Sequence, residues 1–172
     1  MKFGKTVAIV LTSTVLLAGC TTDKKEIKKY DNQVQKAFDQ EKSVNSTSKK
    51  LNNLEEEKQK LFKKVNGKDQ NTRKQAAEDI VENVEKRQKE FKNEEKALNN
   101  SEKEFKKAKQ YMSHIENSAK KKEVTQLNDA IKEKYKAHDA YAKAYKKALN
   151  KEKELFTFLN QDCAKQSELD CK

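Results

Sequence analysis

Side chains able to do chemistry are few in this chain of 172 residues: three cysteines (Cys20, Cys163, Cys171) and two histidines (His114, His138). Catalysis needs a nucleophile, a base and an orienting group gathered in one cleft, and no such constellation is legible. No His-x-x-x-His or Cys-x-x-Cys pair offers zinc its usual ligand spacing. Three glycines cannot build a phosphate-cradling loop, and no Gly-x-Ser-x-Gly turn is present. Carboxylates abound, as in Glu55-Glu56-Glu57 and Glu94-Glu95, but lysines lie three and four residues away, as in solvated helix charges. These residues predict a protein that is not an enzyme and uses no cofactor or metal. His138 is expected on a helix seam and His114 beside one, both as packing residues.

Cys20 differs from the other thiols in what precedes it. Lys2 and Lys5 lead into a mostly apolar run, Thr6 to Leu17, which ends in Leu17-Ala18-Gly19-Cys20. Positive start, apolar core and small residues at a cut are the order of an export signal. The run is too short for a transmembrane helix of about 20 residues. A cysteine directly after Leu-Ala-Gly resembles the lipobox of bacterial lipoproteins. That resemblance implies cleavage between Gly19 and Cys20, and a diacylglyceryl group with palmitate-class chains on the Cys20 thiol. Two acyl chains anchor stably where one is marginal. Residues 1–19 would then be a signal peptide, and residues 20–23 a lipidated tether on the extracellular face of the cell membrane.

Cys163 and Cys171 fall in a tail, residues 161–172. An exported pair can form a disulfide. Eight residues apart on a straight helix they would stand about 12 Å apart, beyond the Cα reach of about 7 Å. A bridge would require the tail to bend; free thiols are the alternative.

Composition limits the rest. Charged residues make up 39% and hydrophobic residues 34%, with no Pro and no Trp. That is poor material for a globular core and good material for long amphipathic helices with a narrow apolar seam. Losing Lys2 and Lys5 with the signal lowers the formal net charge from +11 to +9. Arg73 and Arg87 are the only arginines. A basic intracellular protein suggests nucleic acid, which the export signal argues against. The anions outside a bacterial cell are phospholipid head groups and teichoic acids. Lysines either bind those phosphates as point charges, in a salt-sensitive way, or simply solvate helix faces.

Periodicity predicts an all-α, elongated, antiparallel bundle of about three long helices over residues 24–160. The first seam reads Ile27, Tyr30, Val34, Ala37, Glu41, Val44, Leu51, Leu54, Leu61, Val65, with an irregularity near Val44. Val65 to Asp69 is the best turn, with Gly67 in position to take a positive φ and Asp69 or Asn71 to cap. The second seam runs 3-4-3-4 from Ala77 to Ala119, with polar members at Arg87, Glu94 and Ser101 that can fix register against a partner. The third resumes at Val124 and passes through His138, Tyr141, Tyr145 and Leu155. Tyr135, Ala142, Leu149 and Phe156 lie one position beside it. The turn between the second and third helices is placed at residues 119–123. Narrow seams leave room for self-association or a helical protein partner.

Three stretches resemble the YkyA-type family of cell-wall-binding lipoproteins of low-GC Gram-positive bacteria: Arg87-Gln88-Lys89-Glu90-Phe91-Lys92-Asn93-Glu94-Glu95, Ser101-Glu102-Lys103-Glu104-Phe105-Lys106-Lys107-Ala108, and Lys132 to Ala148 with its tyrosines at 135, 141 and 145. The resemblance implies a membrane-anchored, non-enzymatic module for binding or spacing at the envelope, with teichoic acid or peptidoglycan as its contact. It carries over no binding residues. It also implies a shortened member, because such proteins continue past this point into a further helical segment. Aromatics flanked by lysines could stack on sugar rings; alternatively they fill the third seam. The second functional expectation is a coiled-coil interaction scaffold at the outer face of the membrane.

Overall fold

A computed structural model describes the backbone of residues 21–170 and the side chains of residues 22–161. Gly19, Cys20 and the side chains of Cys163 and Cys171 lie outside the described residues. Five helices follow in order: α1 (Thr21–Asp39), α2 (Val44–Val65), α3 (Gln70–Lys106), α4 (Lys109–Met112) and α5 (Ser118–Asp170). The chain runs up through α1 and α2, down α3 and up α5. At 1.5 Å per residue α5 is about 80 Å long. Helix α3 is central and packs on α1, α2 and α5. The all-α antiparallel bundle expected from the seams is the fold.

The irregularity near Val44 is a kink. Between α1 and α2 the backbone tightens into i to i+3 bonds, from Gln40 N to Ala37 O and from Glu41 N to Phe38 O, and Ser43 keeps helical angles. The chain therefore bends without turning back. At the next boundary Asp69 caps α3, its carboxylate accepting from Thr72 N at 2.7 Å. Gly67 corrects one expectation, since no described glycine has a positive φ. A Cβ there would come within 3.0 Å of the Lys64 carbonyl oxygen, so this glycine serves close approach of backbone, not handedness.

The second turn also falls elsewhere than expected. Helix α3 ends at Lys106, and residues 107–117 form the connection, not residues 119–123. The seam rhythm continued through it because irregular helical turns still bury Ala108 and Ile115. Ala119, expected on the seam, is exposed. The start of α5 is fixed by two caps. Asn117 Oδ1 accepts from Lys120 N at 3.1 Å, and Asp23 of α1 accepts from Glu116 N and Asn117 N at 2.8 and 3.0 Å.

In α5 Val124, where the expected seam resumes, and Ile131 are core; beyond them the buried line is the neighbouring one, Tyr135, Ala142, Leu149 and Phe156, while Tyr141 and Leu155 are exposed. One residue turns a helix by about 100°, and both lines are apolar, so periodicity alone does not choose. The choice follows the polar partners on α3.

Those partners form three layers. Arg87, the largest fully buried side chain, donates to Glu55 of α2 and Glu152 of α5. Seven residues down α3, Glu94 accepts from Ser48 of α2 at 3.2 Å and faces His138 of α5 at 3.8 Å. Seven further, Ser101 donates to Glu41 and meets the Tyr135 hydroxyl at 2.7 Å. Each seven-residue step down α3 matches seven residues back along the first arm, from Glu55 to Ser48 to Glu41. The layers differ chemically, so a one-heptad slip would mismatch all three. Register is thus fixed within the chain.

Burial drives the Glu94 carboxyl above its ordinary value of 4.5. A group raised on folding stabilises fully below its unfolded value, and that contribution is lost as pH rises. Glu94→Gln, which keeps an acceptor for Ser48, is therefore expected to gain on the order of 1 kcal/mol at pH 7. The gain should vanish below pH 4.5. Urea unfolding at the two pH values checks both the size and the sign.

Candidate functional site

Lysines are spread over every outer face, but at one place they converge on a concavity. Where the end of α3 passes residues 128–139 of α5, a groove of about 320 Å³ opens. Its floor is mostly aromatic, made by Phe105 and Tyr135, whose rings lie 5.7 Å apart, with the polar side chain of buried Asn128 beside them. Lys106 and Lys109 approach from one wall, Lys132 and Lys136 from the other. Glu102 and Asp139 are the acids in the lining, leaving the groove with two more cations than anions.

The fold builds this site from its caps. Ending α3 at Lys106 puts Lys106 and Lys109 on either side of the helix end, facing α5. The face of α5 that buries Tyr135 carries Lys132 and Lys136 beside it. Lys106 pairs with Glu102 at 2.8 Å, and Lys132 with Asp129 at 3.3 Å. Lys109 forms no ion pair among the described residues. Exposed pairs of this kind contribute at most about 1 kcal/mol, so the ammonium groups can exchange these partners for phosphate oxygens. The groove offers point-charge recognition of an anion chain over an aromatic floor.

The other sequence candidates separate. His114 is exposed, with Nδ1 3.6 Å from Glu26 Oε2. His138 is largely buried beside the Phe91 ring, and desolvation holds its imidazole below the ordinary value of 6.5. The aromatic run is split: Tyr135 and Phe156 are core, Tyr145 is half-buried, and Tyr141 and Phe158 are 45% and 62% exposed. Tyr141 and Tyr145 stack on each other at 5.6 Å. The groove itself was not legible in sequence, because its walls come from segments about 25 residues apart whose pairing depends on the turn at 107–117.

Among the described residues no helix is long and apolar enough to cross a membrane. No curated protein matches the chain. A crystal structure of a conserved protein of unknown function from Staphylococcus aureus is similar, with 45% identity and a TM-score of 0.73 over 90% of this chain and 83% of that one. The profile of the YkyA family, described as "Putative cell-wall binding lipoprotein", matches residues 25–172. That span takes in all of the bundle but the first four residues of α1, with all three polar layers, and the chain belongs to the YkyA family.

Proposed function

We propose that this protein is a lipid-anchored, non-enzymatic module on the outer face of the cell membrane that holds anionic wall polymer. The contact is electrostatic, through the lysine-lined groove between α3 and α5. The observation that carries the reading is the convergence of Lys106, Lys109, Lys132 and Lys136 on one aromatic-floored concavity. Its polymer is a flexible polyphosphate of the teichoic acid type. Cys20 supplies the anchor as the lipidated residue after cleavage at Gly19.

The test is sedimentation of the chain from Thr21 onward with Gram-positive sacculi, across a salt series, with and without teichoic acid. If four lysines displace counterions as they do on single-stranded polyphosphates, a fourfold rise in salt weakens retention roughly 50-fold. Replacing the four groove lysines by glutamine should abolish the teichoic-acid-dependent part at low salt. Retention indifferent to salt and to teichoic acid would sink the groove and favour peptidoglycan held by the tyrosines.

A second reading, the interaction scaffold, is favoured by the far end of the bundle. There Leu155 and Phe158 are 52% and 62% exposed, near the Phe62–Phe156 ring pair. It predicts association of defined stoichiometry with little salt dependence.

A further inference from the structure

Two lysine-rich segments far apart in sequence meet at one end of the bundle. Residues 21–29 open α1; residues 103–123 hold the end of α3, all of α4 and the start of α5. The Asp23 bonds to Glu116 and Asn117 join them, Lys29 Nζ lies 5.8 Å over the Tyr111 ring, and Ile27 shares a core with Ile115. These 30 residues carry eleven lysines against five carboxylates, a net +6; Lys106 and Lys109, which also line the groove, are two of the eleven. The other 123 residues from Cys20 onward carry 26 basic groups against 23 acidic ones, a net +3. Two-thirds of the charge on the exported part therefore sits at one end.

The part of that charge at the starts of α1 and α5 runs against helix electrostatics, although the lysines ending α3 do not. Cations are disfavoured at a helix N-terminus, yet α5 begins Ser118-Ala119-Lys120-Lys121-Lys122 with no acid in its first turn. Helix α1 also begins at this end, and its first-turn acid, Asp23, is taken up by the α5 connection. Lys120 is nine-tenths buried and its Nζ has no hydrogen-bond partner among the described residues. Local rules broken repeatedly at one place mark a demand other than folding.

We propose that this end is a docking face for a bilayer containing anionic phospholipid. Location selects the bilayer over other polyanions: Thr21, where α1 begins, is joined directly to Cys20. The face thus adjoins the thiol read above as the lipid anchor; the orientation of docking rests on that reading, the electrostatic affinity does not. Lys25, Lys28, Lys121 and Lys122 are exposed here. A basic face beside an acyl anchor gives a second membrane signal. It also holds the end of the bundle against the leaflet, so that the rod stands away from the membrane with the α3–α5 groove near its base.

The test uses the lipid-free chain from residue 20 with Cys20→Ser, sedimented at low ionic strength with two kinds of vesicle. One is phosphatidylcholine alone, the other phosphatidylcholine mixed with phosphatidylglycerol. Binding is expected only to the second. Each lysine near an anionic surface strengthens partitioning about fivefold, so glutamine at 25, 28, 121 and 122 lowers it by on the order of 100-fold or more. Glutamine at Lys63, Lys143, Lys147 and Lys151, which removes the same charge elsewhere, is expected to have a far smaller effect, with helicity checked by circular dichroism for both. Absence of binding to the anionic vesicles overturns the proposal, as does an equal loss from the two sets of substitutions. Displacement from the vesicles by soluble polyglycerol phosphate at matched phosphate also overturns it, and assigns these lysines to wall polymer. The sacculus experiment reads the groove lysines and this one reads the end lysines, so either reading can fail alone.

Discussion

Arg87→Ala is expected to lower the unfolding free energy by about 3–5 kcal/mol. The guanidinium is 1% exposed and spends its donors on three partners: Asn83 at 2.9 Å, Glu55 at 2.8 Å, and Glu152. Burial alone would favour the neutral form. The Glu152 and Glu55 carboxylates outweigh it and hold the arginine above its ordinary value. Burial likewise pushes Glu55 up, but Lys58, Arg87 and Tyr145 bring it below its ordinary range. Truncation leaves two carboxylates facing each other across a cavity, one of them, Glu152, only 15% exposed. Urea unfolding measures the loss; a cost under about 1 kcal/mol would mean that water replaces the arginine and the layer is not structural. Replacing the trio together, Arg87→Met with Glu55→Gln and Glu152→Leu, should restore most of the stability. It should also broaden amide spectra near this layer, because the feature that excludes slipped pairings of α2 on α3 is gone.

Phe91→Ala is expected to cost a similar amount, about 3–5 kcal/mol. The ring is 1% exposed between Leu51 of α2 and Ala142 of α5. It meets Tyr145 edge-on at 4.8 Å and Tyr141 at 5.8 Å. Its loss removes buried area and the edge support of the Tyr141–Tyr145 stack, so the near-ultraviolet circular dichroism of tyrosine should fall with stability. Phe91→Leu, which refills most of the volume, should recover over half of the stability but little of the tyrosine signal. If both signals recovered together, the ring would matter only as volume.

Much of this molecule is written locally. Apolar residues three and four apart along a chain without proline form amphipathic helices, because only that spacing puts them on one face. The kink after Asp39, the cap at Asp69 and the polar positions at Arg87, Glu94 and Ser101 are legible for the same reason: each follows from neighbours within a turn or two. The resemblance of Leu17-Ala18-Gly19-Cys20 to a lipobox is likewise read from adjacent residues alone.

The tertiary structure decided what depends on partners distant in sequence. It ended α3 at Lys106 instead of continuing along an unbroken rhythm, because Asp23, more than 90 residues away, satisfies the backbone of the α5 connection. It chose between two equally apolar lines on α5 by giving Glu152 and Tyr135 partners on α3. It turned lysines that look uniformly spread into a groove on one side and a charged end next to Cys20. Charge in a sequence is a sum, whereas the field that a partner feels depends on which segments the chain reversals bring together.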